Sequence, residues 1–116
     1  MEFTESLKKN YEFRRLYNKG KSAATPYVVV YAKRTGRDVN HLGVTVSNKI
    51  GKAVVRNKVR RRLREIYRLH EGEMKRGVDL VFVARGRSVD ATYAQLEQAV
   101  CKACKQLKVI EEGQAE

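Results

Sequence analysis

The sequence predicts one α+β domain in which helices pack on a β-sheet. Its 116 residues suffice for one hydrophobic core and no more than one domain. Some segments alternate apolar and polar residues with the period of two that is typical of strands, and others repeat apolar residues every three or four positions, as helices do. In chain order these segments predict α-β-β-α-β-α, and they leave room for one more short strand.

The first helix is predicted over residues 11–19. Phe13, Leu16 and Tyr17 would share one side of it. Asn10 can cap its N-terminus, and Gly20 stands where a left-handed residue often ends a helix.

Two strands should follow this helix. A β-branched and aromatic run over residues 27–33 predicts the first, and a polar turn over residues 34–38 leads to the second, over residues 42–47. The alternation in the second strand is typical of an antiparallel sheet that is covered on one face. Thr45 and Ser47 share a face of it that could also carry Tyr31, and periodicity leaves this register open.

A long helix is predicted over residues 52–70, with an apolar stripe on one side and arginines at every fourth position on the other. Residues 78–84 are apolar on both faces, which indicates a central buried strand. Thr92 and Gln95 form a capping box for a last helix with an apolar stripe from Leu96 to Leu107. The tail from residue 111 onward is expected to fray.

Positive charge is concentrated in the long helix and the residues just before it. The chain holds 25 Lys and Arg against 13 Asp and Glu, a net charge of +12, and residues 49–68 contain nine of the basic residues but only one acid, Glu65. Like charges four residues apart on a helix repel each other, so the pattern favours a polyanionic ligand. Arginine suits bidentate contacts to phosphate, which indicates a folded RNA. An anionic membrane is disfavoured because the apolar stripe of this helix has strands to pack on.

The aromatic residues Phe13, Tyr17 and Tyr31 allow two interpretations. They could belong to the core, or they could line a groove in which unpaired nucleotides stack.

Other functional classes find little support in the sequence. No apolar run approaches the ~20 residues of a membrane helix, and the first residues do not resemble a secretion signal, so we expect a cytoplasmic protein. His41 and His70 fit no catalytic triad or zinc pattern and are predicted to lie on the surface. Cys101 and Cys104 are spaced as C-x-x-C but fall inside a helix, Cys101 exposed and Cys104 beside the core. The chain is therefore interpreted as a binding protein.

Residues 50–64, IGKAVVRNKVRRRLR, closely resemble the signature of the protein subunit of bacterial ribonuclease P. The specific part is Arg-Asn-(Lys/Arg)-aliphatic-(Lys/Arg)-Arg-x-aliphatic-Arg, preceded by an alanine. Agreement extends to residues 7–10, to Gly20 and Tyr31, and to residues 43–47 and 84–85, so that it covers about residues 7–108.

The resemblance implies a fold and a function. The fold would be an α-β-β-β-α-β-α two-layer sandwich, of the type called ribosomal protein S5 domain 2-like, with an unusual left-handed β-α-β crossover. One domain would span residues 1–116, with an ordered core over about residues 7–110. The function would be to assist a catalytic RNA that removes the 5′ leader from precursor tRNA. Mg²⁺ ions bound by that RNA would supply the chemistry, so the protein would have no catalytic residue, cofactor or metal of its own.

Two sets of binding residues are carried over from the resemblance. The set expected to bind the catalytic RNA is Lys49, Lys52, Arg56, Asn57, Lys58, Arg60, Arg61, Arg64 and Arg68. The set expected to bind the leader is Phe13, Tyr17, Tyr31, Thr45 and Ser47. We expect one monomeric protein per catalytic RNA, with neither DNA nor a membrane as a partner. The main rival interpretation is a structural RNA-binding module such as a ribosomal protein.

Overall fold

The computed structural model describes residues 1–110, which form one mixed sheet with helices on both faces. The elements are β1 (Thr4–Ser6), α1 (Asn10–Lys19), β2 (Lys21–Ala24), β3 (Val28–Arg34), β4 (Asn40–Thr45), α2 (Ala53–His70), β5 (Val78–Ala84) and α3 (Tyr93–Gln106). Single 3₁₀ turns follow β4, α2 and β5. The α-β-β-β-α-β-α order is confirmed, with β1 added in front of it.

The strand order in the sheet is β1-β4-β5-β3-β2, so β5 is central, as its apolar sequence predicts. β3 pairs with β2 and β5 antiparallel, whereas β4 pairs with β1 and β5 parallel. The prediction of an antiparallel sheet is therefore wrong for β4. A helix returns the chain from the end of β4 to the start of β5, and such a crossover makes two neighbouring strands parallel. The left-handedness of this crossover stays a prediction.

The main core lies between one face of the sheet and the helices α2 and α3. Val59, Leu63 and Ile66 of α2 are buried there together with Leu96 and Val100 of α3. The capping box that starts α3 is present, because the Thr92 hydroxyl accepts from the Gln95 amide N–H at 3.1 Å and the Gln95 side chain accepts from the Thr92 N–H at 2.9 Å. The two amphipathic helices thus pack as their periodicity predicts.

Helix α1 lies across the opposite face of the sheet. Leu16 is buried with Val81 of β5, and the ring of Phe13 lies over Gly43 of β4, where any Cβ would overlap it. Gly20 has an extended backbone, with φ −80°, so its predicted left-handed conformation is wrong. It is needed for close packing instead, since a Cβ there would lie 2.6 Å from the Leu16 carbonyl oxygen and 2.9 Å from that of Ala32.

The N-terminal end of α1 also differs from the prediction. Asn10 is the first helical residue and Lys9 is the N-cap, whose N–H donates to the Glu12 carboxylate at 3.0 Å. The prediction that Asn10 caps the helix is therefore wrong, and the Glu12 side chain instead fastens the first turn by accepting the N–H of the N-cap residue.

The chain before residue 7 is part of the fold. β1 pairs with β4, and the buried carboxylate of Glu71 accepts the N–H groups of Glu2 and Phe3 at 2.8 and 3.0 Å. The predicted fraying from residue 111 onward lies outside the described residues. Within residues 1–110, no helix is both long enough and apolar enough to cross a lipid bilayer.

Candidate nucleic-acid interface

The exposed side of α2 gathers a cationic surface that we call the arginine face. It comprises Asn57, Arg60, Arg61, Arg64 and Arg68, which line one shallow recess together with Met1 and Glu65. The sequence places them there because they recur every three or four positions, opposite the buried residues Val59, Leu63 and Ile66.

Hydrogen bonds within the arginine face leave most of its charge uncompensated. A guanidinium N–H of Arg60 donates to the neutral side-chain oxygen of Asn57 at 2.8 Å. Arg68 donates twice to the Glu65 carboxylate, at 3.0 and 2.6 Å, and these bonds lower the pKa of Glu65. Among residues 1–110 this is the one Arg–carboxylate ion pair. The surface can therefore still attract phosphates.

The other predicted RNA-binding residues do not line this recess and lie before α2 or in its first two turns. Lys49 lies in the 3₁₀ turn after β4, Lys52 is the N-cap of α2, and Lys58 is exposed. Arg56 is half-buried, and its Nε–H donates to the Gly51 carbonyl at 3.0 Å, so it also fastens the start of the helix. Arg62, which the sequence left outside the set, donates to the Ala91 carbonyl at 3.3 Å.

A second surface, the aromatic groove, lies between one flank of α1 and the sheet. It is lined by Asn10, Phe13, Arg14, Tyr17 and Thr45 and encloses about 430 Å³. The Tyr17 and Tyr31 rings meet edge to face, with centroids 4.9 Å apart and planes at 74°. The hydroxyl groups of Tyr17 and Thr45 are 3.1 Å apart and share a hydrogen bond. Four of the five predicted leader-binding residues are thus brought together.

The aromatic set is divided between core and surface, and the stacking of nucleotides on it stays a prediction. Phe13 and Tyr31 are half-buried against Leu16 and Val81, whereas Tyr17 is 38 % exposed. Tyr31 and Thr45 share one face of the sheet, because their strands lie in register on either side of β5.

Ser47 is not part of the aromatic groove. β4 ends at Thr45 instead of residue 47, and the Ser47 hydroxyl accepts from the Lys49 amide N–H at 3.1 Å to cap the following turn. Asn10 and Arg14 also line the groove, although neither was predicted to bind the leader. Their helical spacing of three residues from Phe13 and Tyr17 is the signal that could have identified them.

The two histidines are not the surface residues that the sequence predicted. His41 is bonded to Asp79 at 2.9 Å, and His70 is bonded to Glu73 at 3.0 Å and Glu97 at 2.7 Å. The His70 side chain is only 19 % exposed because α2 and α3 meet there. Burial lowers the pKa of His70, but the hydrogen bonds to Glu97 and Glu73 outweigh this effect and raise the pKa above its usual value.

The cysteines are free thiols. Cys104 is buried, which raises its pKa to about 12. Cys101 is half-buried, less exposed than predicted, with its sulfur 3.7 Å from His70 Nε2. Within the described chain, no group of three or more His, Cys, Asp or Glu residues is arranged to hold a metal ion.

Comparison with known proteins gives consistent matches over nearly the whole chain. A family model described as Ribonuclease P matches residues 1–108. The ribonuclease P protein component of Alkaliphilus oremlandii is 41% identical over 110 residues, which cover 95% of this chain and 96% of that protein. The corresponding protein of Clostridium botulinum strain 657 is 47% identical over 100 residues, 85% of this chain and 90% of that one.

Solved structures match the fold as well. The RNase P protein of Staphylococcus aureus superposes with a TM-score of 0.83 at 36% identity, over 91% of this chain and 97% of that one. The RNase P protein of Thermotoga maritima gives a TM-score of 0.78 at 31% identity, over 92% of this chain and 98% of that one.

Proposed function

The chain belongs to the ribonuclease P protein family, and from this premise we propose that its arginine face binds the catalytic RNA while its aromatic groove holds the 5′ leader of precursor tRNA. As a protein component of ribonuclease P, it is a subunit of the ribonucleoprotein endonuclease that generates the 5′ end of tRNA, and it associates with the ribonuclease P RNA. We propose which residues contact the catalytic RNA, and we propose that the protein also contacts the leader.

Binding of the catalytic RNA is supported by the charge of the arginine face. Arg60, Arg61 and Arg64 form no ion pair with an acid of the described chain, and their side chains project from one side of a rigid helix. Guanidinium groups can contact phosphates in pairs, which suits an RNA whose strands lie close together. Lys49, Lys52, Arg56 and Lys58 would extend this contact around the start of α2.

Binding of the leader is supported by one observation above all, the convergence of Tyr17 on Tyr31 and Thr45 beside an open groove. Each base that stacks on an aromatic ring contributes about 1–3 kcal/mol, with little dependence on sequence. Arg14 lies at the same groove and can contact the phosphates of a strand seated there. Mature tRNA lacks a leader, so the groove would favour the precursor.

The protein's contribution would be to position substrate, with no bond made or broken by its side chains. Mg²⁺ ions, when bound by the catalytic RNA, supply the activated water for cleavage. This chain would hold the leader at a fixed place relative to that RNA, and positioning of this kind lowers the entropic part of the barrier. We propose one monomer per catalytic RNA, acting in the cytoplasm, with no metal, DNA or membrane bound by the protein.

Reconstitution with the catalytic RNA tests the proposal. At low Mg²⁺, addition of the protein should stimulate cleavage of precursor tRNA, and absence of stimulation would contradict it. The variant Tyr17→Ala/Tyr31→Ala should reduce the preference for precursor over mature tRNA and leave assembly with the catalytic RNA unchanged. Tyr17→Phe, which keeps the ring and loses the bond to Thr45, should retain most of the preference. If the double variant failed to fold or to assemble, these rings would be part of the core.

A further inference from the structure

Helix α1 divides the open face of the sheet into two grooves. The aromatic groove is one of them, and the proposed function gives no role to the other. On the flank away from the aromatic groove lies a basic groove of about 390 Å³, whose lining includes Tyr11, Arg15, Lys33, Arg34 and Arg37. Lys33 stands two residues beyond Tyr31 on the same face of β3. The two grooves thus open on the same face of the sheet, with α1 between them.

The basic groove continues into a neighbouring recess of about 310 Å³. The two share Lys33 and Arg34, and the second adds Lys19, Lys21 and Lys108. Seven cations therefore follow one end of the sheet, from the middle of α1 to the end of α3. The sequence gives no sign of this cluster, because its members come from five separate segments.

The charge of the basic groove is only partly offset within the described residues. None of the seven cations forms a salt bridge there with an aspartate or glutamate. Two acids also line the groove, but four cations outnumber them, and both carboxylates are held by other partners, Glu12 by the N–H groups of Lys8 and Lys9 and Asp79 by His41. The chemistry that fits this groove is a run of phosphates.

A single strand of RNA fits the basic groove better than a duplex. Tyr11 is 59 % exposed at its edge, and an aromatic ring interspersed with cations is typical of single-strand binding. Arg14 lines the aromatic groove and the adjacent Arg15 lines the basic groove, so the exposed surface of α1 offers a charged crossing between them. A helix is only about 10–12 Å across with its side chains, a distance that a few nucleotides can span.

We propose that the basic groove binds the phosphates of leader nucleotides that lie upstream of those in the aromatic groove. This inference rests on the proposed function, because it extends the path of the same leader. Contacts to phosphates are independent of base identity, so the groove would add affinity for long leaders of any sequence. Short leaders would end before reaching it.

The test compares precursor tRNAs with unstructured leaders of about 4 and about 16 nucleotides, the limits typical of single-strand sites. The reconstituted holoenzyme would carry wild-type protein, Lys33→Ala/Arg34→Ala, or the matched control Lys102→Ala/Lys105→Ala. The control removes the same charge from exposed positions of α3. The measurement is the holoenzyme concentration that gives half-maximal single-turnover cleavage, at several salt concentrations. Thermal melting of each protein verifies folding.

With wild-type protein and with the control, the longer leader should lower the half-saturating concentration. Lys33→Ala/Arg34→Ala should abolish this gain. For the long-leader substrate it should also reduce the slope of log affinity against log salt by about 1.4, for two lost phosphate contacts. The half-saturating concentration for the short-leader substrate should stay unchanged. An equal loss of affinity for both substrates would place these cations against the catalytic RNA or the tRNA body and would overturn the inference. A gain from the long leader that survives in the variant would overturn it too. The proposed function has its own test: it fails if Tyr17→Ala/Tyr31→Ala does not raise the half-saturating concentration for the short-leader substrate.

Discussion

Removal of two arginines from the arginine face should change how RNA binding depends on salt. The Arg64 side chain is exposed, and Arg60 is bonded only to the neutral Asn57, so both keep a full charge for a phosphate. Each phosphate contact contributes about 0.7–0.9 to the slope of log affinity against log salt, so Arg60→Ala/Arg64→Ala should reduce that slope by about 1.4–1.8. Between about 50 and 200 mM monovalent salt, the variant should therefore lose about tenfold less affinity for the catalytic RNA than the wild type does.

The same helix provides an internal comparison. The Arg68 guanidinium is held by the Glu65 carboxylate through two hydrogen bonds, so Arg68→Ala should change the slope by less than Arg64→Ala. Titrations of labelled catalytic RNA by fluorescence anisotropy at four or five salt concentrations would measure these slopes, and the melting temperature of each variant would verify its fold. If the double variant bound more weakly with an unchanged slope, the arginines would act by a route other than phosphate contact and the reasoning would be refuted.

Three further changes test the packing behind the site. Gly43→Ala should push Phe13 out of its place and weaken discrimination between precursor and mature tRNA, and unchanged discrimination would show that the ring position does not matter. Asn40→Ala should lower the free energy of unfolding in urea by about 3 kcal/mol, because it removes the oxygen that accepts two buried backbone N–H groups, and a loss below about 1 kcal/mol would contradict this role. Charged His70 should stabilise the fold below its usual pKa of 6.5, and this contribution should be lost as the pH rises through its raised pKa. His70→Gln should remove that decline of unfolding free energy with pH, and an equal decline in both proteins would refute it.

Features with a local cause could be predicted from the sequence. The apolar and arginine stripes of α2, the central position of β5 and the capping box of α3 each depend on residues a few positions apart. The same holds for Phe13 and Tyr17, one helical turn apart on α1. Their meeting with Tyr31 and Thr45 depends on strand register, which periodicity alone leaves open.

Features that depend on contacts between distant residues were not predicted from the sequence. β1 has three residues and no fully buried side chain, and its place rests on pairing with β4 and on Glu71, almost 70 positions away. Asp79, the partner of His41, lies 38 residues away, and Glu97, one of the two partners of His70, lies 27 residues away. The parallel pairing of β4 with β5 follows from the path of the chain through α2, and this path cannot be predicted from the composition of either strand.

The short connection between β4 and α2 would let so small a protein hold both of the proposed RNA segments at once. Thr45 lines the aromatic groove at the end of β4, and α2 begins at Ala53, only eight residues later. β4 is fixed between β1 and β5, and Arg56 bonds back to Gly51 at the start of the helix, so the two surfaces are held in a constant relation. An RNA docked on the arginine face would therefore determine where a leader enters the groove. On the proposed function, the protein would then promote cleavage by positioning the substrate before the chemistry begins.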